Sequence, residues 1–263
     1  MSFLYLPALA ANLFTQASAY SSSSEDSNYP VENVGDGITM KPFKFASAGT
    51  DDQVTIDLGS SQAATFVSVH GHNLDSGVTA VQLRKSTDNF SANDELVVAL
   101  TVSSPTFFAT FASTSSRYWR VVFVGTNGSP ISIGELGLGL HTTLATGAGQ
   151  IKITSLQMGA VFPQSRQSGA LLPQVRVASL TSLRQRVVTV GLRVFTFAQR
   201  DTVEGWLATT SGGVEPFICV PDDNDTVVVH GRLPDRITWQ RAEGANQFQT
   251  TSLTIEEDPF FVV

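Results

Sequence analysis

The stretch Val54-Thr-Ile-Asp-Leu-Gly-Ser-Ser-Gln-Ala-Ala-Thr-Phe-Val-Ser-Val-His-Gly-His-Asn-Leu74 decides how the chain is read. Val54, Ile56 and Leu58 alternate with Thr55 and Asp57, the period of a strand with one buried face. Gly59-Ser60-Ser61 breaks the run, as small polar residues do in turns. Residues 66–69 resume an apolar strand, which Gly71 ends. Outward from this centre, residues 78–85 alternate as a strand. Residues 96–102 and 106–111 read as a hairpin around Ser103-Ser104-Pro105, and 119–124 lead into a turn at 126–130. Strands recurring at roughly 8–12 residues predict an all-β sandwich.

A chain of 263 residues holds one large or two medium domains and can bury sizeable cores. Charged residues are only 15%, and Ser, Thr, Gly and Val fill the space, a composition suited to strands and turns. The net charge of −7 is uneven. Residues 1–145 carry six Lys/Arg against twelve Asp/Glu, and residues 146–263 carry ten against eleven, nine of the ten being Arg. The acidic balance argues against nucleic-acid or anionic-membrane partners, which need a basic footprint. The Arg-for-Lys bias fits either an interface, where the planar fork is favoured, or simple genomic composition. The single cysteine, Cys219, lies in an apolar run, reads as a small core residue and allows no intrachain disulfide. Residues 2–19 are apolar and end Ala17-Ser18-Ala19, like a signal-peptidase site. They lack a basic start and are interrupted by Pro7, Asn12 and Gln16, so they are read as an N-terminal arm running into the first strand. No apolar run is long enough to cross a bilayer.

The central "IDLG" strand, its small-residue turn, the apolar strand and "GHNL" resemble the centre of a discoidin (coagulation factor 5/8 C-type) domain. Asn33-Val34-Gly35-Asp36-Gly37-Ile38-Thr39 is similar to the segment that enters that family's first large loop. Ser116-Arg117-Tyr118-Trp119-Arg120-Val121 and Ile133-Gly134-Glu135-Leu136 look like its later strands. The resemblance covers roughly residues 17–140 and departs at Met40-Lys41-Pro42-Phe43, where the family usually carries a Trp. It implies a β sandwich that binds ligands at loops projecting from one end, here 40–50, 75–77 and 90–95. Phe43, Phe45, Asp75 and Phe90 are then the candidate ligand-loop residues, rings stacking on a sugar face and the carboxylate bonding hydroxyls. Filling of the barrel mouth is an equally good reading of the rings.

Small flexible residues at 142–149 read as a linker, so the expected domains are 1–143 (arm plus discoidin-like sandwich) and 144–263. In the second, a long strand at 187–197 leads to a helix that Asp201 caps and Glu204 closes. Val203, Trp206 and Leu207 share its inner face, and Gly212-Gly213 stops it. Hairpins at 216–230 and 236–256 follow. This order of elements, with its closing "L-x-I-x-E-D-P-F", resembles a tail-tube or distal-tail module of a tailed bacteriophage. The resemblance implies a β sandwich with one helix that forms rings with its own copies.

No catalytic or cofactor motif is present, and neither enzyme activity nor a cofactor is expected. His70 and His72 form an H-x-H pair without an evident third metal ligand, and the Asp222-Asp223-Asn224-Asp225 run lacks the Gly and Glu of a calcium loop, so no metal is expected. Trp119, Trp206 and Trp239 sit in periodic segments and read as core. The expected function is a ring-forming structural subunit of a phage tail or tail tip, with self and other tail proteins as partners. It would be made in the host cytoplasm and reside in the virion. Its discoidin-like half would contact a cell-surface glycan. The alternative is a free-standing carbohydrate-binding module. Segregated charges at Arg184, Arg186, Arg193, Arg232, Arg236, Arg241, Glu256, Glu257 and Asp258, with apolar Phe260 and Phe261, mark the candidate assembly surface. Docking of Phe260 and Phe261 on their own domain is an equal alternative.

Overall fold

The computed structural model describes residues 3–6, 11–103, 106–144, 152–161, 183–194, 196–209, 216–220, 228–232, 239–241, 249–257 and 260–261. In chain order the strands are β1 (Phe3–Leu6), β2 (Ala19–Ser22), β3 (Phe43–Lys44), β4 (Thr50–His72), β5 (Val78–Ser86), β6 (Glu95–Leu100), β7 (Thr106–Thr126) and β8 (Ser132–Gly139). There follow β9 (Thr142–Leu144), β10 (Lys152–Val161), β11 (Leu183–Val194), β12 (Phe217–Val220), β13 (Val229–Arg232), β14 (Gln240–Arg241), β15 (Gln249–Glu257) and β16 (Phe260–Phe261). A short 3₁₀ turn covers Val31–Gly35, and one α-helix, α1, covers Phe197–Thr209. Among the described residues the protein is all-β apart from these.

The first sheet runs β3-β8-β4-β7-β5-β6, with β2 added along β4. Its two long strands bend together. Pairing of β4 with β7 is continuous from Asp52 to Asp57, breaks, and resumes at Gln62 opposite Ser116. Gly59 takes φ +71 at that corner, a conformation only glycine adopts without strain. The Asp57 carboxylate braces the corner by accepting from Gly59 N–H (2.7 Å) and from both Nε and Nη2 of Arg117 (2.7 Å each). Beyond it the second half of β4 lies between β8 and the first half of β7. The ribbon therefore contributes to both layers of a sandwich: a larger one of β2, β4, β7, β5 and β6, and a smaller one of β3, β8, β4 and β7. Val54, Ile56, Leu83, Trp119 and Val121 of the larger layer and Val67, Val69, Leu136 and Leu138 of the smaller share one buried core. The alternation of β4 and the inward Trp119 are as the sequence predicts. The expected 96–111 hairpin is not formed, because β6 pairs with β5, leaving β7 to β4 and β5.

The second sheet runs β10-β11-β15-β13-β12-β1-β9, with β14 on β15 and β16 on β11. Its β12–β13 and β14–β15 pairings follow the predicted hairpins. Two features differ from expectation. Strand β1 does not run on into the first sheet: Leu4, Tyr5 and Leu6 pair with Val220, Cys219 and Ile218. Residues 142–144, read as a linker, are a strand on the other side of β1. An apolar Phe-Leu-Tyr-Leu segment needs both its edges satisfied and a core to enter, and the second sheet supplies both: Tyr5 packs on Trp206 at 4.4 Å between ring centroids.

The helix also starts earlier than Asp201. Thr196 Oγ1 accepts from Gln199 N–H (3.2 Å) while Gln199 Oε1 accepts from Thr196 N–H (3.3 Å), a reciprocal capping box one turn upstream. Asp201 is therefore inside the helix, beside Arg200 at 3.1 Å. Val203 and Trp206 are buried as expected, together with Phe217 and Cys219. Trp239 is half-buried and donates from Nε1 to Glu204 (3.0 Å). The Leu207 side chain, Gly212-Gly213 and the aspartate turn at 222–225 lie outside the described residues.

The two sheets meet along a seam. Leu6, Ile218, Val220 and Val228 pack on Phe66, with Phe108 stacked on Phe66 at 5.8 Å. The buried Thr106 hydroxyl donates to Val228 C=O (3.1 Å) and accepts from Val228 N–H (3.4 Å). A Cβ at Gly137 would lie 2.6 Å from Ile218 Cδ1 and 2.4 Å from Ser68 Oγ, so any side chain there would have to displace both tips.

Candidate functional site

The loops at residues 23–30, 40–50, 73–77 and 127–131 gather where β4 begins and β7 ends, forming the mouth of the sandwich. Three expected ligand residues behave differently there. Phe43 and Phe45 are fully buried and are not ligand-facing. They sit edge to face at 4.6 Å, and Phe45 meets Phe123 at 6.1 Å. Two residues apart, they share a strand face, and that face points into the core. Asp75 is at the mouth, but its carboxylate closes the loops: Oδ1 accepts from Gly77 N–H and Oδ2 from Gly128 N–H, both at 2.7 Å. Asp51 accepts from Gly125 N–H (2.8 Å), and buried Asp52 from Ser23 Oγ (2.7 Å) and Gly49 N–H (3.1 Å). The mouth's carboxylates are thus largely framework.

Phe90 is at the other end. β5 runs from Val78, beside Gly125, to Ser86, beside Tyr118. Eight steps of strand separate the mouth from the Phe90 loop by about 26 Å. Asp75 and Phe90 therefore do not face one small ligand. Phe90 lies against Arg120, whose guanidinium carbon is 3.7 Å from the ring centroid.

The ring that the mouth does present is Tyr29, which is not among the residues singled out from the sequence. It is 39% exposed. The loop is pinned to β3: Asp26 N–H donates to Lys44 C=O (3.0 Å), Lys44 N–H to Tyr29 C=O (3.1 Å), and Tyr29 N–H back to Asp26 C=O (2.8 Å). Asp26 Oδ1 accepts from Asn28 N–H (3.0 Å) and Nδ2 (3.3 Å), an Asx turn. Pro30 then fixes the entry to the 3₁₀ turn. The Lys44 ammonium sits 6.0 Å from the Tyr29 centroid, the outer limit of a cation–π contact. The result is an aromatic plate on a pinned loop with the Lys44 ammonium beside it. The signal for it was an aromatic between Asn and Pro in a loop otherwise of small polar residues.

Glu135, in the Ile133-Gly134-Glu135-Leu136 segment, is fully buried. Its oxygens accept from Asn12 Nδ2 (3.4 Å) and Gly37 N–H (3.2 Å), holding both the arm and the first-loop entry against β8. Nearby Tyr20 donates its hydroxyl to Phe14 C=O, and burial, followed by the charges of Glu135, Glu32 and Asp36, pushes its pKa up to about 12.

The two histidines of the H-x-H pair part company, because Gly71 between them takes φ +58. His70 meets His230 of the second sheet at 5.8 Å between centroids. His72 turns to Phe107 (5.2 Å), donates from Nε2 to Ser103 C=O (3.1 Å) and accepts at Nδ1 from Leu74 N–H (3.2 Å). Among the described residues no three His, Cys, Asp or Glu side chains converge as a metal group.

The candidate assembly surface is only partly described. Arg236 and Asp258, and the side chains of Arg184, Arg186, Arg241, Phe260 and Phe261, lie outside the described residues. Glu257 is buried, which removes it from any exposed surface, and Arg193 is half-buried. Arg232 stands directly opposite Glu256 across β13 and β15, so those opposite charges are cross-strand neighbours within the chain. Residues 260–261 pair as β16 with Leu183 and Arg184 of the same chain, the within-domain docking that the sequence reading left open. No helix is long and apolar enough to cross a membrane among the described residues.

No protein-family model matches the chain, and no curated protein matches it. Solved structures are similar over about half of it. Chitosan-binding module 1 of a chitosanase/glucanase from Paenibacillus sp. IK-5 is 19% identical, with a TM-score of 0.43 over 48% of this chain and 97% of its own. Chitosan-binding module 2 of the same enzyme, in complex with chitotriose, is 22% identical, with a TM-score of 0.43 over 49% and 99%. The family 32 carbohydrate-binding module of C. perfringens NanJ, in complex with galactose, is 14% identical, with a TM-score of 0.41 over 53% and 99%.

Proposed function

We propose that the chain binds a glycan at the mouth of its sandwich, with Tyr29 as the stacking plate. One observation carries this reading: Tyr29 is an exposed ring on a loop that three backbone hydrogen bonds hold rigid. A fixed ring loses little entropy when a sugar face covers it. Lys44 stands beside it, and Asp26 and Asn28 of the same loop supply further polar groups for hydroxyls. Titration of the full chain with a panel of neutral oligosaccharides tests the reading. Tyr29→Ala should weaken the best binder about tenfold or more, as removal of an aromatic anchor does. Its melting curve should stay within about 0.5 kcal/mol of the parent, as for a surface change. Full affinity in a folded Tyr29→Ala protein would place the site elsewhere.

We further propose that the chain works as a structural subunit of a phage tail or tail tip, resident in the virion, rather than as a free-standing binding module. The seam supports this. A module meant to roam is hung on a flexible linker, whereas Leu6, Phe66, Ile218, Val220 and Val228 lock this sandwich to a second sheet. A locked sandwich presents its mouth in a constant direction from whatever the second half builds. Light scattering across a wide concentration range tests it: a ring-forming chain gains mass in one closed step. A chain that stays monomeric throughout supports the free-standing alternative. Glu256→Lys is the informative variant for the surface, because Glu256 is exposed, while reversing buried Glu257 would damage the fold itself.

A further inference from the structure

Arg120 lies on the outer face of the larger layer, opposite in pattern to fully buried Trp119. Its Nε donates to Thr55 Oγ1 (3.0 Å). Its two terminal nitrogens have no acceptor among the described residues. The cross-strand neighbour on β5 is a second guanidinium, Arg84. Arg84 is itself held, donating from Nε to Asp94 (2.6 Å) and from Nη1 to Gln82 (2.8 Å). Two like charges directly opposite on a sheet oppose folding, and one carboxylate serves both. Burial pushes the Arg120 guanidinium below its ordinary pKa; Asp94 opposes that and Arg84 adds to it.

The loop that lays Phe90 on Arg120 is built at a cost. Asn89 and Phe90 take φ +57 and +62, a region non-glycine residues avoid. The strain is held by Asp88, whose carboxylate accepts from Ser86 Oγ (2.7 Å), Ala92 N–H (2.9 Å) and Asn93 N–H (3.1 Å). Ser86 Oγ in turn accepts from Phe90 N–H (2.8 Å). These bonds hold the ring over the guanidinium, 3.7 Å from its central carbon, while Nε is the nitrogen taken up by Thr55.

We infer that Arg120, with Arg84 beside it, forms an anion site on the outer face of the larger layer, and that it takes the carboxylate of an acidic oligosaccharide. A guanidinium edge with two unused N–H groups matches a planar carboxylate bidentately. Sugar is favoured over other carboxylates by the surroundings. Arg84, Arg120, Thr55 and Ser21 form one row across β5, β7, β4 and β2. At strand spacing that row is about 14 Å long, with the exposed Ser21 hydroxyl at one end, the Phe90 ring over Arg120, and the buried Thr55 hydroxyl between them already bonded to Arg120 Nε. The site is distinct from the Tyr29 mouth and does not depend on it.

Calorimetric titration of the full chain with trigalacturonate at low salt tests the site, with uncharged galactotriose, hexaglutamate and inorganic sulfate as comparisons. Trigalacturonate should bind saturably and shift the backbone amide resonances of residues 84, 90 and 120. Affinity should fall about tenfold or more in Arg120→Lys, which keeps the charge and loses the fork, and by a smaller factor in Arg84→Gln. Tyr29→Ala should leave it unchanged, which separates this site from the mouth. No saturable binding, or undiminished binding by folded Arg120→Lys and Arg84→Gln proteins, overturns the assignment. So does binding of hexaglutamate or sulfate as tightly as the sugar, which would mark a protein-docking charge or a bare anion site instead.

Discussion

The smaller layer of the sandwich is buried on both faces, and by different means. Its inner face is made of Val67, Val69, Phe107, Leu136 and Leu138, interchangeable in chemistry and packed within one large core. Its outer face, which meets the second sheet, carries Phe66, Ser68, His70, Thr106, Phe108 and Gly137. That face is a mixture of rings, a hydroxyl pair and a glycine close to Ile218. The inner face needs only hydrophobic bulk of about the right volume. The outer face needs one partner in one register, because Thr106 must find the backbone of Val228 and Gly137 must lie flat under Ile218. A face of the first kind makes a domain; a face of the second kind makes a fixed attachment.

Three measurements sharpen this contrast. Leu136→Ala should have the largest effect, about 2–5 kcal/mol of lost stability, since it opens a cavity in the shared core. Denaturant unfolding of the whole sandwich should report it as a lower midpoint with unchanged slope. Thr106→Val comes next, at about 1–3 kcal/mol, because it removes both bonds of the buried Thr106 hydroxyl to the Val228 backbone. Hydrogen exchange should then rise first at 217–220 and 228–232 while Trp119 and its neighbours stay protected. Uniform loss of protection would mean the seam and the core are one cooperative unit.

The smallest effect is a slope with pH. Burial holds the pKa of His72 below its ordinary 6.5, with the Ser103 carbonyl opposing, and burial acts likewise on half-buried His141 against Thr65. The unfolded chain then takes up these protons at a higher pH than the folded one. Stability is complete above 6.5 and is lost as pH falls through the folded values. The melting temperature should decline below that point, and His72→Gln should flatten the decline. A melting temperature that rises on mild acidification would reverse the sign and contradict the burial of these rings.

Much of the first half was legible in its sequence because its strands bury one face each. Val54, Ile56, Val67, Val69 and Trp119 announce themselves by alternation, and the Gly59 corner by its small residues. Period tells that Phe43 and Phe45 share a face, but not that the face is the inner one. It also cannot rank two capping frames, Thr196 with Gln199 against Asp201 with Glu204; where β11 ends decides that. The candidate site was less legible still. Tyr29 became a plate through backbone bonds to β3, and Arg120 became an open fork through Phe90 and Thr55, all of them contacts distant in sequence. The seam was invisible, since Gly137, Thr106 and His70 acquire meaning only with their partners in place.

Strand β1 sets a timetable for synthesis. Leu4 and Val220 are neighbours in the second sheet, yet more than 200 residues lie between them in the chain. At a ribosomal pace of about 5–20 residues per second, the first strand waits some 10–40 seconds for its partner. During that interval the first sandwich has all of its own strands and can close, since β2 through β8 are made without interruption. The Phe-Leu-Tyr-Leu segment meanwhile has only β9 to pair with and keeps its other edge open, the kind of edge that chaperones recognise and that neighbouring chains capture. Strand β1 is thus among the last to be paired on both edges.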